Sequence, residues 1–151
     1  MAQEGVGDRV KLLPPVPYAD LLAWTASADL GLILYRQSYS PNVKYCLPNK
    51  LFEYLMAGLP VLCSHLEAVA DIIQAYDVGR VAPSLEPEVV GAAINDTLSD
   101  RARLATWGAH ARAAAKSDLC WEVEQERVVG LYRNVFTAPS LPPHANSRAH
   151  N

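Results

Sequence analysis

The stretch LPNKLFEYLMAGLPVL, from Leu47 to Leu62, sets Lys50 and Glu53 three residues apart in a largely apolar run. Pro48 suits the first turn of a helix, because the N–H it lacks has no helical partner there anyway. The backbone N–H groups of Asn49, Lys50 and Leu51 would then point outward at the helix start. Together with the helix dipole they make an anion site, for which phosphate is a common occupant. Lys50 adds a full positive charge beside it. Glu53 follows about 5 Å further along the axis. A carboxylate there can accept two hydrogen bonds from a vicinal diol, as acidic residues do with a ribose. The plainer reading is a helix packed through Leu51, Leu55 and Met56, with its two charges forming a surface pair worth a few tenths of a kcal/mol. Local chemistry leaves both readings open.

Such a site needs elements to hold it. Short apolar runs alternate with helical segments, the pattern of a parallel sheet flanked by helices. RVKLL (Arg9 to Leu13) predicts a strand and YADLLAWTASA (Tyr18 to Ala28) a short helix. DLGLILY (Asp29 to Tyr35) is apolar on both faces, as a strand buried on both sides should be. A polar loop, RQSYSPNVKYC, leads into the helix described above. PVLCS (Pro60 to Ser64) predicts another fully apolar strand, LEAVADIIQAY a helix and VGRVAP (Val78 to Pro83) a short strand. Three further helical segments follow. The first carries Val89, Ala93 and Leu98 at helical spacing. An alanine-rich one has a weak point at Gly108, and the last puts Trp121, Val128, Tyr132 and Val135 on one stripe. The expected fold is α/β, a Rossmann-like three-layer parallel sheet with flanking helices and a helical C-terminus. It occupies residues 8–137, and residues 138–151, without periodicity and rich in Pro, Ser and His, predict a disordered tail. The candidate site then lies past the carboxyl end of DLGLILY, where open α/β sheets bind ligands.

Bulk properties bound the function. With 151 residues, 50% of them apolar and 19% charged, the chain is one ordinary globular domain's worth. A net charge of −3 argues against a nucleic-acid partner, which wants a basic face. Cys46, Cys63 and Cys120 are odd in number and scattered, which predicts reduced thiols, and no metal-ligand spacing is present. The start, MAQEGVGDRVK, has no apolar stretch after its charges, and no run is long enough to span a bilayer. A soluble cytoplasmic domain is expected. Beyond the main stretch, His65 and Arg36 follow strand ends and can face a phosphate or simply face water. Lys44 and Tyr45 can line a sugar pocket or be ordinary loop residues. Cys46 has no base near it in sequence, so thiol catalysis is not expected.

The main stretch resembles the signature P-N-K-x-x-E-Y-x-A-x-G-x-P-V of retaining GT-B glycosyltransferases of the family 4 type. The likeness extends through RVKLLPPVPYADLLAWTASADLGLILY before it, and through AVADIIQAYDVGRVAP and CWEVEQERVVGLYRNVF after it, from about Asp8 to Phe136. In the middle segment Asp71 stands where the family has Glu. The resemblance implies the donor-binding C-terminal domain of that fold. It gives Glu53 the ribose hydroxyls and places Pro48, Asn49, Lys50 and Leu51 in the loop that approaches the diphosphate and sugar. Gly58 and Pro60 become structural. The implied reaction moves a hexosyl unit from a UDP- or GDP-linked nucleotide sugar to an acceptor hydroxyl, with retention and no other cofactor. The implied setting is the cytoplasm, at the inner membrane face in bacterial relatives that build envelope polysaccharide.

Two departures qualify it. The first glutamate of the family's E-x7-E motif falls at Tyr45. The family's acceptor domain, the first strands of its donor domain and their G-R-x-x-x-x-K-G-like segment have no counterpart before residue 8. The expectation is therefore a split or truncated donor-binding half, which a separate chain could complete and which is not competent alone. The alternatives are a non-catalytic nucleotide-binding or interaction module, and the related nucleotide-sugar epimerase. The epimerase would want carboxylates and histidines in the cleft.

Overall fold

The computed structural model describes residues 5–36 and 40–137. Helix α1 (Tyr18–Thr25) precedes strand β1 (Gly31–Ile33), and a five-residue helix α2 (Pro41–Tyr45) precedes α3 (Asn49–Ala57). Then come β2 (Val61–Cys63), α4 (Glu67–Tyr76) and β3 (Gly79–Val81). Helices α5 (Pro87–Ser99), α6 (Arg101–Ser117) and α7 (Trp121–Thr137) complete the described chain. The three strands form one parallel sheet in the order β1-β2-β3, with Ile33 level with Cys63 and Cys63 level with Val81. The expected α/β architecture is present.

The sheet is a two-faced core. Ile33, Val61 and Cys63 pack on one face with Leu51 and Leu55 of α3, Val69 and Ile73 of α4, and Ala111 and Ala115 of α6. Leu62 turns the other way, onto Ala82, Ala93 and Ile94, so α5 supplies the opposite layer. Helix α3 ends because Gly58 takes the left-handed conformation (φ 72°), which a side chain resists. The amide of Leu59 then returns to Tyr54 O at 2.8 Å, and the chain turns straight into β2. Helix α4 ends the same way without a glycine, at Asp77 (φ 46°). That residue is held by α6, whose Trp107 Nε1 and Arg103 guanidinium donate to its carboxylate at 2.9 and 3.0 Å.

Several sequence expectations are corrected. Arg9 to Leu13 form no strand. Arg9 and Val10 turn back onto the Val6 carbonyl, and Val10, Leu12 and Leu13 are exposed. A strand needs a partner ladder, and no described strand lies beside this segment, while Pro14, Pro15 and Pro17 take away donors just past it. DLGLILY shortens to three residues, and its Leu32 is 38% exposed rather than buried, because α5 covers Leu62 and not its neighbour across the ladder. The expected stripe of the last helix is not a core face: Trp121, Val128, Tyr132 and Val135 are all exposed. Helical spacing makes a stripe, but only a facing element buries one. The loop before α3 contains α2, capped by Ser40, whose hydroxyl accepts from Val43 N–H at 3.2 Å. The expected tail at 138–151 lies outside the described residues.

Gly108 does not weaken α6. It is buried mid-helix, and a Cβ there would stand 2.7 Å from the carbonyl oxygen of Gly58. The α3–α6 contact is close because this position has no side chain. Gly108→Ala should therefore reverse the usual helix rule and destabilise by about 1–3 kcal/mol, through overpacking against backbone. Gly130→Ala in α7, where a Cβ meets nothing within 4 Å, should instead stabilise by about 0.5–1 kcal/mol. Urea unfolding of both variants checks the two signs.

Candidate functional site

The carboxyl ends of the three strands meet at one edge of the sheet, and the start of α3 comes to the same edge. Pro48 is the N-cap of α3 rather than its first helical residue, with extended backbone (φ −70°, ψ 142°) and no side chain to offer. Its carbonyl accepts from Leu51 N–H at 2.9 Å. The Leu51 amide is thus engaged, and its side chain is fully buried in the core. Of the three amides at this helix start, those of Asn49 and Lys50 have no acceptor among the described residues. The helix start has no side-chain cap, and these two N–H groups stay open.

Lys50 reaches from α3 to the end of β1. Its ammonium lies 5.1 Å from the centroid of the Tyr35 ring. The Tyr35 side chain holds the Lys50 pKa above the ordinary lysine value, against the opposing effect of partial burial, with Glu53 a weaker contributor. Lys50 is therefore fully protonated at neutral pH. Tyr35 in turn is held by Ser64, the first residue past β2, which is buried. The Ser64 hydroxyl accepts from Tyr35 N–H at 3.0 Å and donates to Tyr35 C=O at 2.7 Å.

Glu53 sits one turn further along α3, half-buried, on a narrow groove of about 80 Å³ shared with Tyr18, Leu22 and Met56. Among the described residues nothing donates a hydrogen bond to its carboxylate, so its acceptor capacity is open. Tyr45 does not join this group. It is 62% exposed on α2, with the Lys44 ammonium 4.7 Å from its ring centroid, and Lys44 pairs with Glu67 at 3.3 Å. The Lys44–Tyr45 pair thus ties α2 to α4 instead of facing Lys50. Arg36 lines a cleft of about 350 Å³ with Leu34, Tyr35 and Val43. His65 lines one of about 170 Å³ with Tyr35, Ser64 and the Ala82 to Leu85 loop. Sequence reasoning missed Tyr35 and Ser64. The available signal was a hydroxyl residue at the carboxyl end of each of two adjacent apolar runs, Tyr35 two residues past β1 and Ser64 directly past β2.

A larger apolar cleft of about 580 Å³ lies elsewhere, between the Phe52–Met56 face of α3 and the start of α7. Its charged groups, Glu122 and Glu124, are acidic. It is bigger than the clefts at the strand ends, and its acidic lining disfavours an anion. Among the described residues no cluster of three or more His, Cys, Asp or Glu could hold a metal, and no helix is long and apolar enough to cross a membrane.

An uncapped helix start and a cation thus stand together at the carboxyl edge of a parallel sheet, in an α/β domain. The family assignment follows from comparison: the model of the family glycosyl transferases group 1 matches residues 1–100, and the chain belongs to that family. Two solved structures share the fold. Sucrose-phosphate synthase from Thermosynechococcus elongatus superposes with a TM-score of 0.76 at 21% identity, over 91% of this chain and 33% of that one. WaaG, a glycosyltransferase involved in lipopolysaccharide biosynthesis, gives 0.64 at 19% identity, over 91% of this chain and 34% of its own. The chain therefore spans about a third of the length of these structures. No curated protein matches it.

The cysteines near and within this framework differ in kind. Burial pushes the Cys63 thiol from 9.0 to about 11, so it stays protonated in the folded chain where an unfolded thiol would ionise. The stability this gives is complete below pH 9 and is lost as pH climbs from 9 towards 11. At pH 8 a chromogenic disulfide reagent should modify the half-buried Cys46 and Cys120 and leave Cys63 untouched until denaturant is added. Release of three thiol equivalents by the folded protein at that pH would contradict the burial.

Proposed function

We propose that this chain supplies the nucleotide-sugar-binding surface of a group 1 glycosyltransferase. The amides of Asn49 and Lys50, with the Lys50 ammonium, take the diphosphate, and the open carboxylate of Glu53 takes the ribose hydroxyls. The donor is a UDP- or GDP-linked hexose, and the reaction moves that hexose to an acceptor hydroxyl with retention of configuration. One observation carries the reading. The uncapped start of α3 and the protonated Lys50 converge at the carboxyl ends of the strands, while Glu53 lies one turn away with nothing bonded to it.

The chemistry asked of these residues is electrostatic. As the sugar departs, negative charge grows on the nucleotide diphosphate. Fixed N–H dipoles and a cation already in place stabilise that charge without reorganising. Lys50 suits this task because a lysine is charged at neutral pH and the Tyr35 ring beside it favours that charged form. Glu53 contributes orientation, since a carboxylate that accepts both hydroxyls of a diol fixes the nucleoside along the helix. The surface described here is that of the donor. The acceptor surface and the rest of the active site belong to the remainder of a two-domain enzyme, whether in the same polypeptide or another.

Calorimetric titration with UDP and with GDP tests the proposal. One nucleotide should bind, and Glu53→Ala should weaken it about tenfold or more, the cost of losing hydrogen bonds to a charged acceptor. Lys50→Ala should weaken binding and flatten its salt dependence. Equal affinity in the wild-type and Glu53→Ala proteins would remove the ribose from Glu53, and no binding by the folded chain would sink the proposal.

A further inference from the structure

We propose that Ser64 is a positioning residue for Lys50, acting through Tyr35, and that it sets where the cation of the proposed diphosphate site stands. The inference rests on the reading of Lys50 as that cation. The geometry begins with an oddity of burial. Ser64 is 3% exposed and, with Thr97, is one of two buried polar residues among those described. A buried hydroxyl is costly unless its hydrogen bonds are made. Here the two shorter ones go to a single residue, Tyr35.

The β1–β2 ladder continues one step past the strands, because Ser64 N–H donates to Ile33 C=O at 2.9 Å. Beyond that point backbone pairing stops. The Ser64 side chain takes over, accepting from Tyr35 N–H at 3.0 Å and donating to Tyr35 C=O at 2.7 Å, with Ile33 C=O a longer third contact at 3.4 Å. Both backbone polar groups of Tyr35 are thus clamped by one hydroxyl. No other hydrogen bond fixes the Tyr35 backbone among the described residues. With that backbone held, the direction of its Cα–Cβ bond is set, and the ring is delivered beneath the Lys50 ammonium at 5.1 Å. Lys50 would otherwise sweep freely on its four-carbon stem. The relay joins the end of β2 to the end of β1 and then to the start of α3, and each link is a contact between residues far apart in sequence.

A purely structural role makes a different forecast. If Ser64 only closes the ladder, its loss lowers stability and leaves Lys50 unchanged. The deciding readout is the NMR titration of the Lys50 side chain in ligand-free protein, followed at its Cε and Nζ, alongside UDP affinity. In Ser64→Ala, the Lys50 titration should move down towards the ordinary value of 10.5, and UDP binding should weaken about three- to tenfold. Ser64→Thr, which keeps the hydroxyl, should restore both. In a Tyr35→Leu background, Ser64→Ala should change neither further, since the relay is already broken. An unmoved Lys50 titration in folded Ser64→Ala overturns the proposal. Should that variant fail to fold, Tyr35→Leu decides alone: it leaves the Ser64 contacts to backbone in place, and an unmoved Lys50 overturns the relay. If wild-type protein binds no UDP, the nucleotide reading falls, while the Lys50 titration still decides whether Ser64 positions the side chain.

Discussion

Val61, Leu62 and Cys63 are each fully buried and lie between two parallel neighbours, and the rest of the molecule is arranged around keeping them so. A parallel strand cannot leave one face to water in a fold of this kind, because its crossovers place helices on both sides. Here α3, α4 and α6 cover Val61 and Cys63, and α5 covers Leu62. With only three residues per strand, pairing alone holds little. The close approach of neighbours matters more. Gly79 shows how close, because a Cβ at that position would stand 1.9 Å from the Val61 carbonyl oxygen. Gly31 plays the same part on the other side, where the Tyr54 ring occupies the space of a side chain.

The buried strand also fixes the chemistry. Helix α3 runs into β2 through Gly58, Leu59 and Pro60, so anchoring β2 anchors the helix axis. The C-terminal end of α3 is pinned further by α6, through the Gly58–Gly108 contact and a long hydrogen bond (3.5 Å) from Arg112 to Ala57 C=O. Its other end, bearing Asn49 and Lys50, is thereby aimed at the carboxyl edge of the sheet. At that edge Ser64 leaves β2 directly after Cys63, and Tyr35 lies two residues past Ile33, within reach of its hydroxyl. One geometric fact, the register that sets Ile33 beside Cys63, brings the hydroxyl, the ring and the ammonium together.

Much of this was legible. The Gly58–Pro60 break, the apolar β2 run and the Pro48–Lys50 helix start all declare themselves through local rules, since each depends on the allowed backbone or missing donors of single residues. Where the reading failed, a local pattern had no tertiary partner. Val10, Leu12 and Leu13 have the composition of a strand but no ladder to join among the described residues, and the stripe on α7 stays exposed. Some contacts could not be read locally at all: the Pro48 carbonyl takes up the Leu51 amide, and Lys44 pairs with Glu67 across α2 and α4 while its ammonium lies over the Tyr45 ring.

By itself the sequence determined the alternation of strand and helix from β1 onward, the end of α3 at Gly58 and the presence of a lysine and a glutamate one turn apart on one helix. Those properties follow from side-chain volume, backbone freedom and hydrogen-bonding capacity that each residue carries wherever it is placed. Only the tertiary structure decided what meets those charges. Tyr35 and Ser64 come to Lys50 from the ends of two different strands, and Glu53 comes to face α1. Such meetings depend on strand register and helix packing, which are properties of the whole buried core and are written in no short stretch of chain.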